Sequence, residues 1–459
     1  MDGDEAMAFA RQFQGFLDEL DARLPRGEPP HLVRRFTEHL GRSPQGLPVV
    51  TDSFRAYDHP NVQIAIDRYL GADARSAELI GLGGGSGREY QSFSELIDGA
   101  WFHGSLDEGA VDYVTVPTGI DEEMTCVRIG VYLIADGVHR FVVLMRAVVH
   151  NGPPQIMLET LGPEPDVLTG FLAEIRTLTG RHNVFRGKII SVEPHEFGHG
   201  LGPVKFHARP AIERDDVILP AGLLEAVERQ VIGVAVHRDR LLAAGHHLKR
   251  GVLLFGPPGS GKTHTVRYLM SRLPDVTIVV VTGLGLHHIR EACALARLLP
   301  PALVVVEDVD LVAESRALRS GLDNPLLFQL LNEMDGVAGD SDVAFVLTTN
   351  RADLLEPALA QRPGRVDLAV NVPLPDERAR TRLLALYGPR LVLDDSEVAA
   401  IVAETDGVPA SFFAEVSRRA ELLTATGVAA GADGAAGVTA VRAALDEMRA
   451  SRDALGAAT

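Results

Sequence analysis

Cysteine is nearly absent. Two in 459 residues, Cys126 and Cys293, are too few for a disulfide framework and do not have zinc-ribbon spacing. Basic residues are in deficit too: 44 Lys and Arg stand against 62 Asp and Glu, a net charge of −18. A broad nucleic-acid surface needs a basic face, so this balance argues against a nucleic-acid partner while leaving room for a small local patch. Long apolar runs are missing. None reaches the ~18 residues that span a bilayer, and the acidic N-terminus has no signal-peptide core. These absences predict a cytoplasmic protein without a membrane segment. The hydrophobic share of 46% is ordinary for a globular chain, and a chain of this length predicts about three domains.

What is present is concentrated in the second half. Gly256-Pro257-Pro258-Gly259-Ser260-Gly261-Lys262-Thr263 fits the phosphate-loop pattern G-x-x-x-x-G-K-[ST] at every fixed position. A short apolar run, Gly251 to Phe255, precedes it as a buried parallel strand would. After it, Val266, Leu269, Met270 and Leu273 fall at helical spacing until Pro274. Strand, glycine loop and helix N-terminus aim backbone N–H groups at one point, which suits a polyphosphate. The pattern gives Lys262 to the β- and γ-phosphates and the Thr263 hydroxyl to Mg²⁺.

The first half offers less chemistry. Residues 1 to about 80 read as mostly helical, with Phe9, Phe13, Phe16, Leu17 and Leu20 forming one apolar stripe, better suited to packing or a partner helix than to a cofactor. Gly81 to Gly87 reads as a flexible connector. From about 100 to 210 the period becomes two: Val127, Ile129, Val131 and Leu133 alternate, Asp136-Gly137 supplies a turn, and Phe141 to Val149 returns. Leu168, Phe171, Leu172 and Ile175 make a helical stripe within this α+β region. His195-Glu196-Phe197-Gly198-His199 matches H-E-x-x-H, whose two histidines bind zinc from one helix face. Gly198, Gly200 and Gly202 each cost a helix ~1 kcal/mol, and strand-like residues flank the segment. A loop between strands therefore fits better, and a zinc peptidase using His195, Glu196 and His199 stays as an alternative.

Beyond the phosphate loop, Val276 to Val281 is a second apolar strand and Leu303 to Val306 a third, with Glu307-Asp308 directly after it. Carboxylates at the end of a strand beside a phosphate loop can hold Mg²⁺ and polarise an attacking water. Val343 to Thr348 is a fourth strand, and Asn350 just past it could orient that water. Arg362-Pro363-Gly364-Arg365 puts two guanidiniums around a rigid turn.

Together with Gln329 to Gly336 and Thr349-Asn350-Arg351, these segments resemble an AAA ATPase from about 210 to 425. The resemblance implies an α/β P-loop NTPase domain, a parallel sheet flanked by helices, with a C-terminal helical lid and a preceding α+β N-terminal domain. The implied divisions are a helical segment 1–80, an α+β domain 81–208 for client or adaptor binding, an ATPase domain 209–375, and a lid and tail 376–459. It implies ATP and Mg²⁺ as cofactors, Thr263 and Glu307 at the metal, and Glu307, Asp308 and Asn350 in catalysis. Arg362 and Arg365 would act on the ATP of a neighbouring subunit in a ring, usually of six, whose work is remodelling a protein client. Four departures stand out. Glu307-Asp308 reverses the usual Asp-Glu order, Tyr387 replaces a common His, and Phe412 replaces a lid Asp. Thr282 to Leu286 runs almost directly into the next helix, shortening the loop that would grip a threaded polypeptide. A nucleotide-gated assembly or signalling module with slow hydrolysis is the other reading.

Overall fold

The structure, a computed structural model, describes residues 30–83, 87–103, 107–148, 154–194, 201–310, 325–335, 342–351, 366–428 and 436–456, with a few isolated positions besides. The chain divides into two compact units, Met1–Val184 with Pro194–Val204, and Phe185–Glu193 with Lys205–Thr459. The division expected near 208 differs from this because strands within 189–207 join the second unit's sheet.

In the first unit, β1 (Val49–Arg55), β2 (Ser76–Leu82), β3 (Glu108–Gly109), β4 (Asp112–Pro117), β5 (Glu123–Ala135), β6 (Arg140–Val148) and β7 (Gln155–Leu161) form an antiparallel sheet. Its order is β1-β7-β6-β5-β2-β3, with β4 on β5. Helices α1 (His31–Leu40) and α3 (Phe93–His103) supply Leu32, Phe36, Phe93 and Ile97 to the core with Ile129, Val131 and Leu133. Helices α2 (His59–Leu70) and α4 (Pro165–Arg181) supply Ile66, Phe171 and Ile175 to the other, with Tyr132 and Ile134.

Two sequence expectations change here. Val127 packs with Tyr132 and Ile134, not with Ile129. The β4–β5 register shifts at Asp112/Tyr113, which face Ile129 and Val127, and one bulged residue moves the residues beyond it to the opposite face. The bulge leaves Val127 polar groups to be satisfied from α2: its N–H donates to Gln63 Oε1 at 3.0 Å, and its carbonyl lies 2.8 Å from His59 Nε2. The stretch 1–80 also contains β1 and β2, so it is not helical throughout, and Gly81 belongs to β2 rather than to a connector.

The second sheet begins with β8 (Ile189–Pro194) and β9 (Leu201–His207), followed in the chain by a short helix α5 (Leu223–Glu228). Then come β10 (Arg250–Phe255), α6 (Lys262–Ser271), β11 (Thr277–Val281), α7 (Ile289–Leu298), β12 (Ala302–Val306), α8 (Pro325–Asp335), β13 (Val343–Thr349) and β14 (Leu368–Asn371). The sheet order is β14-β10-β13-β12-β11-β8-β9, with the first six strands parallel. All five residues of β12 and all seven of β13 are buried, as expected of strands covered on both faces. Because β10, β12 and β13 are parallel and adjacent in that order's centre, their C-terminal ends open on one edge. That edge is where open α/β sheets bind ligands.

Four helices follow: α9 (Glu377–Tyr387), α10 (Asp395–Glu404), α11 (Ala410–Ala425) and α12 (Val438–Gly456). Asp376 caps α9 by accepting from the Ala379 N–H at 2.7 Å, and Asp394 with Glu397 forms a capping box on α10. Leu383, Ile401, Phe413, Val416, Val441 and Leu445 close one small core among the four. The last helix is therefore part of the lid core and not a detached tail.

Candidate active site

Gly256 has φ +149°, and a Cβ there would stand 2.1 Å from the Val372 carbonyl oxygen. Only glycine lets the chain leave β10 this close to the segment after β14. Gly259 has φ +73°, and its carbonyl accepts the Ser411 N–H of α11 at 3.1 Å. The loop then runs into the N-terminus of α6, where unpaired N–H groups and the helix dipole favour an anion.

Lys262 is buried, and its ammonium donates to Gly256 O at 2.8 Å, Pro257 O at 2.9 Å and Asn350 Oδ1 at 2.8 Å. Burial pulls its pKa below the ordinary lysine range, while the nearby Asp308 and Asp310 carboxylates work against that shift. Asn350 is thus brought to the lysine across the junction of β10 and β13. Glu307 and Asp308 follow β12 on the same edge. Thr263 lies near enough to Glu307 for its hydroxyl to act on that carboxylate's ionisation. Burial, the largest cause, raises the Glu307 pKa above 4.5, and Thr263 opposes it.

Asp308 adopts φ +50°, an uncommon conformation for a residue other than glycine. Its N–H is held by Thr348 Oγ1 at 3.0 Å, and its Oδ1 lies 3.4 Å from Asn350 Nδ2. Strain of this kind costs about 1–3 kcal/mol and persists only where the surroundings enforce it. Here it turns the carboxylate toward Asn350.

These residues line a cleft of ≈ 370 Å³ with Pro258, Gly259, Gly261 and Lys262 on one wall and Asp308 and Asn350 on another. The lid contributes Tyr387, Ala410 and Ser411. A second hollow of ≈ 280 Å³ reaches from Ser260 and Ala410 to Val217 and Ile218, with Arg214 and Arg382 also lining it. Sequence reasoning assigned nothing to 214–218, because no pattern marks it and only the fold brings it beside the loop. Two observations fit a nucleotide with its metal. Glu307 Oε1 and Ser260 Oγ are buried with no hydrogen-bond partner, and Lys262 faces the cleft with a charge suited to phosphate.

Arg362 and Arg365 lie outside the described residues, as do His195, Glu196 and His199. Among the described residues, no group of three or more His, Cys, Asp and Glu is arranged to hold a metal ion. Gly283–His288 forms a 3₁₀ helix leading straight into α7.

Parallel sheet, glycine loop and strand-end carboxylates define a P-loop nucleotide-binding ATPase domain. The sequence profile of the ATPase family associated with various cellular activities (AAA) matches residues 252–374, and this stretch is an AAA domain within the longer chain. The chain is similar to the ATP-dependent zinc metalloprotease FTSH 2, chloroplastic, of Oryza sativa subsp. japonica: 33% identity over 243 residues, 49% of this chain and 35% of the relative. It is 28% identical over 216 residues to the 26S protease regulatory subunit 6A of Caenorhabditis elegans, covering 44% of this chain and 50% of that one. The chain spans no more than about half the length of these curated relatives. No helix among the described residues is long and apolar enough to cross a membrane.

Proposed function

We propose that the protein hydrolyses ATP and uses the cycle to remodel a protein client or complex. The observation that carries this reading is the meeting of Lys262, Thr263, Asp308 and Asn350 at one cleft, between a phosphate loop and a helical lid, with Glu307 next to Asp308 in the chain. The phosphates would lie on the loop N–H groups and the Lys262 ammonium, with the base and sugar toward Val217 and Ile218. Thr263 and Glu307 would hold Mg²⁺, which supplies charge neutralisation on the phosphates. Asp308 would take the proton of the attacking water, and the Asn350 amide would fix that water's position.

The family relation supports a ring oligomer, with six subunits as the working number, in which Arg362 and Arg365 serve the neighbour's site. An Arg supplied in trans is worth about 10³–10⁵ in rate in related phosphoryl transfer. The first unit would recruit the client in the cytoplasm. The test is a mixing experiment. Activity should rise with protein concentration, Arg365→Ala should slow turnover with ATP affinity kept, and adding Asp308→Asn subunits should restore part of it. Turnover independent of concentration, with Arg365→Ala as fast as wild type, overturns the ring reading. A nucleotide-gated assembly module draws support from the short 283–288 segment, and very slow steady-state turnover despite tight ATP binding would favour it.

A further inference from the structure

Asp310 lies two residues beyond the strand-end pair Glu307-Asp308 and is buried, 5% exposed. Its carboxylate gathers the donors at the end of β13. Oδ1 accepts from Thr349 Oγ1 at 2.9 Å and from the Asn350 backbone N–H at 3.1 Å, and Oδ2 lies 3.5 Å from Asn350 Nδ2. Thr349 Oγ1 in turn accepts the Arg351 N–H at 3.0 Å. The turn that leaves β13 is therefore tied to one buried anion rather than to water.

The Asn350 amide has two ends with opposite demands. Its oxygen faces the Lys262 ammonium at 2.8 Å, and its NH₂ sits between Asp308 Oδ1 and Asp310 Oδ2. Turning the amide over would set its oxygen against two carboxylates and its NH₂ against an ammonium. Lys262 and the two carboxylates thus admit one orientation. Asp308 alone holds the NH₂ through a single long contact, whereas Asp310 also fixes the backbone that carries the side chain.

We infer that Asp310 is a positioning residue for ATP hydrolysis, acting through Asn350: it holds the amide oxygen toward Lys262 and the amide NH₂ toward Asp308. This inference rests on the proposed function for its kinetic consequence, but not for its geometry. Asp310 is assigned no contact with phosphate or with the attacking water. Its effect should fall on turnover and not on nucleotide affinity.

The test uses the full chain with Asp310→Asn and Asp310→Ala, alone and combined with Asn350→Ala. ATP affinity should stay within about threefold of wild type, while kcat falls at least tenfold in each single variant. In the Asn350→Ala background, losing Asp310 should lower kcat by less than twofold further, since residues acting as a unit are non-additive. Loss of fold would reduce affinity and kcat together and would persist in that background. A crystal structure of Asp310→Ala supplies a reading independent of hydrolysis, with Asn350 Oδ1 displaced from Lys262. Asn350 still seated 2.8 Å from Lys262 in that variant overturns the inference, as do kcat within twofold of wild type or fully additive losses. Wild-type protein that binds ATP without releasing phosphate counts against the proposed function instead, and the variant structure still decides the role of Asp310.

Discussion

Replacing Lys262 by Met removes the one ammonium in the phosphate loop while keeping much of the side chain's volume. That ammonium has three acceptors, Gly256 O, Pro257 O and Asn350 Oδ1, all within 2.9 Å. On the proposed reading, ATP would exchange these contacts for phosphate oxygens instead of adding contacts to a bare charge. Truncating one member of a buried, hydrogen-bonded charge pair costs ~2–5 kcal/mol, and the exchange places the net loss in the middle of that range. At 1.4 kcal/mol per tenfold, ~3 kcal/mol is about two orders of magnitude in Kd. Asp308 and Asp310 would lose their neighbouring cation, leaving a more anionic cleft that repels phosphate further. Titration calorimetry with Mg-ATP at fixed salt measures the change, and thermal melting checks the fold. An affinity within threefold of wild type refutes the phosphate-loop reasoning.

The carboxylates after β12 give a second test: Asp308→Asn should bind ATP and stop turnover, and an active Asp308→Asn beside an inactive, ATP-bound Glu307→Gln would reverse their roles. Burial raises the Glu307 pKa, so just above the ordinary glutamate range the folded protein binds this proton more tightly than the unfolded chain does. This group's contribution to stability therefore falls as pH rises through that window. With Glu307 at the proposed Mg²⁺ site, metal affinity should rise with pH there and level off; a metal titration flat across the window contradicts this. Arg250 and Asp342 form a buried pair at 2.9 Å, 4% and 2% exposed, so Asp342→Ala should cost about 3–5 kcal/mol in chemical denaturation. A loss under 1 kcal/mol would mean that water reaches the pair.

Local pattern carried the nucleotide site because its parts are short strands followed at once by chemistry. Gly251 to Phe255 ends in the loop, Leu303 to Val306 ends in Glu307, and Val343 to Thr348 ends near Asn350. Burial on both faces makes each strand a continuous apolar run, which is legible without neighbours. The stripe Leu168, Phe171, Leu172 and Ile175 of α4 was legible from its helical spacing, which places one buried face by local pattern alone. Strands β1 and β2 were not, because Val49 to Arg55 and Ser76 to Leu82 mix exposed and buried residues without clean alternation. Their pairing with β7 and β5 is supplied by residues far along the chain. The bulge opposite Asp112, the joining of β8 to β11 and the work of Asp310 likewise depend on which strands become neighbours, and pattern alone does not carry that. Nothing in the residues around 214–218 marks them as part of the cleft until the lid and loop are folded together.

Whether this cleft hydrolyses ATP is decided by phosphate release from the purified full chain with saturating Mg-ATP, wild type beside Asp308→Asn at matched concentration. Steady release is expected from the wild type and at least a hundredfold slower release from Asp308→Asn, with ATP affinity retained in both. Equal release by the two proteins, or none by a wild type shown to bind ATP across a wide concentration range, would contradict it.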